Sequence, residues 1–366
     1  MSVFRFVGNS ILAGYCYVKN MPKQFRNSPN TRQKQLRSNS TEVVIENTTC
    51  KKTLKMLSKC RDPYSIRLIN CDIDLSCALI LEAILEYDTL RILYLYSTSI
   101  NADALEVISE AISKNTSLFT LRIESIDSGQ KDDNIVFSIS KAIANNKSIK
   151  KFEIYNYDIG QNTAKAISNI LNVNTTLTNL IMNNNSIVSE EANYILDSMI
   201  NNNTLLNLDM ANNNICDDAT YYISNMLIYN TTLISLNLCN NQIGTLNVTR
   251  GLVNNSSLTD LVVSLDYNFN IDCVHEFNNI LKNNFTLTNL TLHFINTQIS
   301  LKTYMNNNCD KILERNKKFS KQLQKMTMFR KINGLPDELN FMITKYLINY
   351  TQENMKRTIQ IQKTDI

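Results

Sequence analysis

The chain has 366 residues, of which 43% are hydrophobic and 19% charged, and its formal net charge is +4. This composition is that of a folded protein and argues against global disorder, while the small charge gives little support to nucleic-acid or membrane-surface binding. No apolar run approaches the roughly 18 residues of a membrane-spanning helix, so none is expected.

The first segment, residues 1–45, is predicted to be a basic, disordered leader. Its first 41 residues contain no Asp or Glu, whereas seven Lys and Arg residues lie among them. An acid-poor, basic leader of this kind is also typical of a transit peptide. The mildly apolar run 6–18 leaves a secretion signal as a further interpretation, so the role of this segment stays open.

Leucines recur along the next segment, residues 46–318, with the spacing L-x-x-L-x-L-x-x-N-x-I. Three units begin at Leu177, Leu205 and Leu233, each 28 residues after the one before. The same frame, with less regular matches, gives about nine units, whose starts lie near positions 63, 90, 118, 149, 177, 205, 233, 258 and 287. A period of this length predicts a stacked repeat protein.

Each unit is predicted to contain a short strand and then a helix. Leu208 and Met210 alternate with exposed positions, as in a strand, whereas Ile195 and Met199 follow helical spacing. A polar, Asn-rich turn such as 201–204 leads into the next strand. Neither half buries its apolar face alone, so the units must stack into an α/β solenoid with a parallel sheet on one face and helices on the other.

An asparagine follows the strand in three of the units, at Asn185, Asn213 and Asn241. A side-chain amide at this turn can satisfy unpaired backbone groups and link neighbouring units. We therefore interpret this column as structural. Thr98 and Tyr157 replace the asparagine in earlier units, where we expect less regular turns.

The 28-residue period and the strand-plus-helix units resemble the ribonuclease-inhibitor-like leucine-rich repeats over residues 63–318. This resemblance implies a horseshoe solenoid with strands on the concave face and helices on the convex face. It also implies a closing helix, for which the segment 310–317 is the candidate. It says little about the partner, because many unrelated proteins share this architecture.

Alternate residues of each strand are predicted to point away from the helices and to form the concave face. These positions are aromatic and charged in the amino-terminal half of the array, and bland and rich in amides in the later half. Because Tyr and Arg often anchor interfaces, we predict that another protein binds the amino-terminal half. The predicted contact residues are Tyr94, Tyr96, Arg122, Glu124, Lys151, Glu153 and Tyr155. A solvated face without a partner is the alternative.

The last segment, residues 319–366, is predicted to be helical. Residues 334–347, GLPDELNFMITKYL, resemble the opening of an F-box, L-P-x-E-L-x-x-x-I-x-x-Y-L, and similar short segments close repeat proteins of the PRANC type. The matching positions are Leu335, Pro336, Glu338, Leu339, Ile343, Tyr346 and Leu347. In that family the segment docks on the Skp adaptor of cullin ubiquitin ligases. An amphipathic helix packed on the array is the alternative.

The sequence does not indicate metal binding or catalysis. The two histidines, His275 and His293, have no Cys or carboxylate residues at ligand spacing, and no nucleophile elbow or phosphate-binding glycine loop is present. We therefore expect no cofactor and no enzymatic activity. Nine cysteines without a C-x-x-C pair favour a reducing, cytoplasmic location, with secretion into a host cell as the alternative for a microbial protein.

These observations favour a non-enzymatic scaffold that binds another protein on its concave face. The alternative is an F-box-like substrate receptor or microbial effector, which holds a target on its repeats and recruits a cullin ubiquitin ligase through residues 335–347. A regulatory role like that of the Ran GTPase activator is disfavoured, because that family carries an acidic tail and this carboxy terminus is basic. Nucleic-acid binding through the basic ends has only the net charge of +4 in its favour.

Overall fold

The computed structural model describes residues 41–125, 133–265, 271–294, 309–318 and 320–321. The chain divides into two units, Met1–Ser40 and Thr41–Ile366, and every element described below lies in the second. Most of the leader predicted at 1–45 and all of the F-box-like segment at 335–347 lie outside the described residues.

Strands and helices alternate along the second unit. The strands are β1 (Thr41–Thr48), β2 (Pro63–Ile73), β3 (Ile92–Tyr96), β4 (Ser99–Ile100), β5 (Thr120–Glu124), β6 (Lys151–Tyr155), β7 (Asn179–Asn183), β8 (Asn207–Asp209), β9 (Ser235–Asn237), β10 (Asp260–Leu265) and β11 (Asn289–Phe294). The helices are α1 (Cys50–Leu57), α2 (Leu75–Glu86), α3 (Ala102–Lys114), α4 (Asn134–Asn145), α5 (Gln161–Val173), α6 (Ser189–Met199), α7 (Thr220–Tyr229), α8 (Thr245–Leu252), α9 (Ile271–Asn283) and α10 (309–318).

The strands form one parallel sheet in the order β1-β2-β3-β5-β6-β7-β8-β9-β10-β11, and the short β4 pairs with β2. Neighbours in the sheet are therefore neighbours in the chain, apart from β4. Parallel neighbours need a crossover connection, and the helix of each unit supplies it. This is the leucine-rich-repeat horseshoe solenoid predicted from the sequence, with the sheet on one face and the helices on the other.

The core lies between the sheet and the helices. Leu208 and Met210 of the strand half are 1% and 0% exposed, and Ile195 and Met199 of the helix half are both fully buried. Full burial of a side chain of this size stabilises a fold by about 1.5–3 kcal/mol relative to exposure. The two periods in the sequence, 2 for the strands and 3.6 for the helices, thus select the residues that hold the units together.

The structure contains a first unit that the sequence analysis did not include. Strand β1 begins at Thr41, ahead of the boundary predicted at 46, and pairs in parallel with β2. Helix α1 follows, and Ile45 and Leu57 of this unit are 0% and 1% exposed. The segment lacks the leucine frame of the later units, but its β-branched run is typical of a strand.

The asparagine column after the strands is structural, as predicted. Asn213 Nδ2 donates to the carbonyl oxygen of Met182 in the preceding unit at 2.9 Å, and Asn213 Oδ1 accepts from the backbone N–H of Asn185 at 3.0 Å. Thr98 makes one equivalent hydrogen bond, because its hydroxyl donates to the Leu68 carbonyl oxygen at 3.1 Å. Each of these side chains satisfies a backbone group of the unit before it.

A second asparagine column, at the end of the helices, was not predicted. Asn174 Nδ2 donates to the carbonyl oxygens of Ile143 at 2.8 Å and Asn146 at 2.7 Å, and its Oδ1 accepts from the N–H groups of Thr176 and Leu177. Related bonds recur at Asn115, Asn146, Asn202, Asn230, Asn255 and Asn284. The Asn-rich turns therefore connect successive units.

The carboxy-terminal end of the described array is closed by α10, which contains the segment predicted at 310–317. Ile312 and Leu313 of this helix are buried, and Asn316 Nδ2 donates to the Leu287 carbonyl oxygen at 2.7 Å. None of the described helices is long and apolar enough to cross a membrane. The eight cysteines among the described residues are all free thiols.

Candidate partner-binding face

The seven predicted contact residues lie together on the concave face, which consists of the strand residues that point away from the helices. Tyr94 of β3 pairs in register with Arg122 of β5, which pairs with Glu153 of β6. Tyr96, Glu124 and Tyr155 form the next row. Adjacent strands lie about 4.8 Å apart, so side chains of one row are in mutual reach.

An arginine stands at the centre of this group. Arg122 Nη2 lies 2.6 Å from Glu124 Oε2, and Arg122 Nη1 lies 3.5 Å from Glu153 Oε2. Lys151 Nζ approaches the other oxygen of Glu153 at 2.5 Å. Glu153 is 5% exposed, so this carboxylate is buried but neutralised by two cations. The charged side chains in the amino-terminal part of the face therefore neutralise one another.

Two arginines lie over tyrosine rings of the same face. The guanidinium carbon of Arg122 is 4.3 Å from the centre of the Tyr155 ring, and that of Arg67 is 4.9 Å from the centre of the Tyr94 ring. Arg67 also pairs with Glu42 of β1 at 2.8 Å. A guanidinium over an aromatic face is attracted to it and holds it in place. The rings of Tyr94 and Tyr155 are thus each held by an arginine, and both residues are partly exposed.

Burial decides the protonation of this group. Burial, and after it the Glu153 carboxylate, raises the pKa of Tyr155, so the phenol remains a hydrogen-bond donor at neutral pH. Burial, and then Glu124, raises the pKa of Tyr96 in the same direction. Burial raises the pKa of Glu124, and the Arg122 guanidinium opposes this shift. Burial lowers the pKa of Arg122, but Glu124 and the other acidic neighbours together raise it by more.

The carboxy-terminal half of the concave face has a different charge pattern. The described outward residues of β7 to β11 include no Lys or Arg, and Asp209 and Asp260 are the acids among them. Burial lowers the pKa of His293, which therefore adds no charge at neutral pH. The amide-rich surface that the sequence predicts is present, but it carries two carboxylates without a cation of its own.

Asp209 is the more enclosed of these two acids. Its carboxylate accepts hydrogen bonds from the Asn183 side chain at 3.3 Å and the Ala211 N–H at 3.0 Å. Burial raises the pKa of Asp209, which the Ala211 and Asn237 hydrogen bonds partly oppose. Strand alternation alone places Asp209 outward but does not indicate a role for it. Only the register, which sets it between Ile181 and Asn237, shows its surroundings.

The described residues contain no group of three or more His, Cys, Asp or Glu side chains that could hold a metal ion. Cys71 and Cys77 are core residues, 1% and 0% exposed. Burial raises the pKa of Cys77 to about 11, so this thiol is not a reactive thiolate at neutral pH. What the face offers chemically is hydrogen bonding, aromatic contact and charge.

Three solved structures illustrate what the chain is similar to. The actin-binding site 2 of leiomodin-1 shares 24% identity over 43% of this chain and 91% of that one, with a TM-score of 0.39. The tropomodulin C-terminal domain of Caenorhabditis elegans shares 12% identity over 61% of this chain and 98% of that one, with a TM-score of 0.28. An internalin of Listeria monocytogenes shares 17% identity over 63% and 72% of the two chains, with a TM-score of 0.31.

No protein-family model and no curated protein matches the chain. Likenesses as distant as those three indicate nothing about a partner, and the fold is defined by the chain's own strand register and buried repeat positions. The fold and the face together define a class of molecule, a leucine-rich-repeat solenoid with a polar and aromatic sheet surface.

Proposed function

We propose that this chain is a non-enzymatic interaction scaffold that binds another protein on the amino-terminal half of its concave face. The observation that carries the proposal is the group Tyr94, Tyr96 and Tyr155, three tyrosines that share one sheet face with Arg122 among them. Partly exposed Tyr and Arg side chains of this kind are frequent anchors of protein interfaces.

The supports around these tyrosines strengthen the proposal. Arg122 is held by hydrogen bonds to Glu124 and by contact with the Tyr155 ring before any partner arrives, and Arg67 lies over the Tyr94 ring. Ordering a free long side chain on binding costs roughly 0.5–1.5 kcal/mol, so side chains that are already ordered favour affinity.

Affinity capture with the full chain and two pairs of variants tests this proposal. Tyr94→Ala with Tyr96→Ala removes the rings on the sheet face, and Tyr221→Ala with Tyr229→Ala removes two exposed rings of α7 on the helix face. We expect a protein that the wild type and the helix-face variant retain and the sheet-face variant loses. Equal retention by both variants, with all three chains folded, would reject the placement.

The finer assignments follow from the sequence and are proposals as well. The 28-residue period supports placing the array in the ribonuclease-inhibitor-like subfamily. The predicted limits 1–45, 46–318 and 319–366 are kept as a proposal, except that the solenoid is extended to Thr41 so that it includes the whole of β1. The eight free thiols of the described residues support a reducing, cytoplasmic location. Secretion into a host cell remains the alternative for a microbial protein.

The F-box-like segment gives a second candidate function, a substrate receptor that recruits a cullin ubiquitin ligase. Its support is the sequence match at Leu335, Pro336, Glu338, Leu339 and the positions that follow. A pull-down with the purified Skp adaptor tests it, with the full chain and with Leu335→Ala combined with Pro336→Ala. Retention that depends on both residues supports this function, and no retention of the wild type rejects it.

A further inference from the structure

We propose that the partner presents a lysine or arginine side chain to Asp209, as part of a basic segment that crosses the concave face from Tyr94 to β8. The inference rests on the proposed function and specifies the chemistry of its partner. It follows from the difference in charge between the two halves of the face and from the surroundings of one carboxylate.

The outward-facing Lys and Arg residues of the amino-terminal half already form ion pairs with Glu residues of the same face. Arg67 pairs with Glu42, Arg122 pairs with Glu124 and Glu153, and Lys151 pairs with Glu153, at shortest distances of 2.5 to 2.8 Å. A partner therefore finds no unneutralised cation in these pairs. An acidic peptide or a nucleic acid would have to break existing ion pairs in order to bind there, which is costly for a buried carboxylate such as Glu153.

The carboxylates of the other half lack such compensation. Among the described residues, Asp209 accepts hydrogen bonds only from neutral groups, and Asp260 accepts from the side chains of Asn289 and Thr259. The described outward residues of β7 to β11 contain no Lys or Arg that could approach them. The uncompensated charge of the concave face is therefore negative, and a cationic side chain complements it.

Asp209 is the better docking point because the fold has already removed much of its water. A partner cation meets a carboxylate that folding has already partly desolvated, so the desolvation of the cation is the main cost that opposes the pairing. Asn183 Nδ2 donates to Asp209 Oδ2 and helps to hold the carboxylate in place. A guanidinium suits such a carboxylate, because its planar fork of N–H donors matches carboxylate geometry.

The geometry fits one extended segment. Tyr94 of β3 and Asp209 of β8 lie in the same row of the sheet, and four strand spacings separate them along β3-β5-β6-β7-β8. Four spacings of about 4.8 Å amount to about 19 Å, which an extended peptide covers with about six residues at 3.3 Å each. An aromatic or apolar anchor at the tyrosines and a basic residue at Asp209 therefore belong about six residues apart.

Binding of defined peptides to the full chain tests the inference by fluorescence anisotropy. The probes carry a Tyr-Leu anchor and, about six residues away, Arg-Lys, Ser-Ser or Glu-Glu, with the anchor at either end. We expect the Arg-Lys peptide to bind most tightly and the Glu-Glu peptide most weakly. Asp209→Asn should weaken the Arg-Lys peptide about tenfold, equivalent to about 1.4 kcal/mol, and leave the Ser-Ser peptide unchanged.

The matched control is Asp197→Asn, which removes an exposed carboxylate on α6 of the helix layer and should leave all affinities unchanged. Asparagine at 209 keeps an acceptor for the Ala211 N–H, and thermal melting checks that the variant folds. If it does not fold, the wild type decides, because rising salt must weaken the Arg-Lys peptide and not the Ser-Ser peptide.

Equal binding of the three peptides, no binding of the Arg-Lys peptide, or an unchanged affinity of Asp209→Asn would each overturn the inference. So would a dimer in solution that Asp209→Asn dissociates, because the occupant would then be a second copy of this chain. If a captured protein is lost on changing Tyr94 and Tyr96 but binds Asp209→Asn at full affinity, the proposed function stands and this inference fails.

Discussion

The side chain of Asn174 joins two successive units of the array through four hydrogen bonds to backbone groups. Asn185 and its equivalents make a separate column behind the sheet. A third set occupies left-handed backbone positions at the strand ends, where Asn184 has φ of 59° and donates to the Asn156 side chain at 2.6 Å. Asparagine adopts this conformation more readily than most residues. Much of the asparagine in the array therefore has an identifiable structural role.

Replacing Asn174 tests the column at the helix ends. Asn174→Ala leaves the N–H groups of Thr176 and Leu177 without their partner, and an unsatisfied buried group costs about 1–3 kcal/mol. The Ile143 and Asn146 carbonyl oxygens each keep one other donor, so we expect urea unfolding to show a loss of about 2–4 kcal/mol for the variant. Asn172→Ala, an exposed change two positions away in α5, should stay within about 0.5 kcal/mol of the wild type. Equal effects would contradict the role of the column.

The enclosed carboxylate of Asp209 should cost stability in the free protein. Burial raises its pKa above the ordinary 3.8, so the folded state holds the proton more tightly than the unfolded state does. The penalty is fully present above the folded pKa and disappears below pH 3.8, where both states are protonated. Asp209→Asn should therefore be more stable than the wild type at pH 7, and the difference should shrink as the pH falls.

Unfolding by urea across this pH range measures the difference. Asp197→Asn, on the surface of α6, serves as the control and should change stability by no more than about 0.5 kcal/mol at any pH. A wild type more stable than Asp209→Asn at pH 7 would show that hydrogen bonds to the ionised form outweigh its burial. A stability cost at this position would accord with a role in binding.

At the scale of the elements, α7 and α8 approach so closely that one position requires glycine. A Cβ on Gly251 would lie 2.8 Å from Leu227 Cβ and 2.9 Å from the Ser224 carbonyl oxygen. Neither atom is the far end of a flexible side chain, so the helices would have to separate. The absence of a Cβ at Gly251 thus allows α7 and α8 of neighbouring units to pack at this short distance.

Gly251→Ala should destabilise the protein although alanine favours helices. Overpacking costs about 1–3 kcal/mol, whereas the helix propensity of alanine recovers about 1 kcal/mol. Gly160→Ala is the matched control, because its Cβ would meet the Asp133 carboxylate oxygen at an ordinary 3.7 Å. Denaturant midpoints of the two variants give the comparison, and a more stable Gly251→Ala would contradict the close approach.

Sequence periodicity predicted the elements wherever the leucine frame is present. Leu208 and Ile195 illustrate why, since the burial of a side chain follows directly from the period of its element. The first unit was not predicted, because Ile45 and its neighbours pair with β2 without the leucine spacing of the later units. The role of the helix-end asparagines was not predicted, because their hydrogen-bond partners lie about one repeat away in the chain. A local sequence pattern does not identify such partners.

The residues of the candidate face could be predicted from the sequence, but the ion pairs among them could not. Strand parity alone placed Tyr94, Arg122 and Glu153 outward, because alternation is a property of the backbone. Which carboxylate neutralises which cation depends on the register between strands and on side-chain rotamers. For that reason it could not be predicted that Glu153 is shared by two cations, or that Asp209 meets only neutral donors among the described residues.

At the scale of the whole array, each unit is stabilised mainly by the units on either side of it. The sheet order follows the chain, and each asparagine column links one unit to the next, so stability is approximately a sum of unit and interface terms. Such an architecture leaves one long sheet face free to recognise a partner. Its outward side chains can vary without disturbing the buried positions.

Hydroxyl-radical footprinting of the full chain with its captured partner tests most directly whether the sheet face is the binding surface. Tyr94, Tyr96 and Tyr155 report on the concave face, and the exposed Tyr221 and Tyr229 report on the helices. We predict that the partner protects the first three tyrosines and leaves the other two as reactive as in the free protein. Protection of Tyr221 and Tyr229, with the concave tyrosines unchanged, would contradict the account.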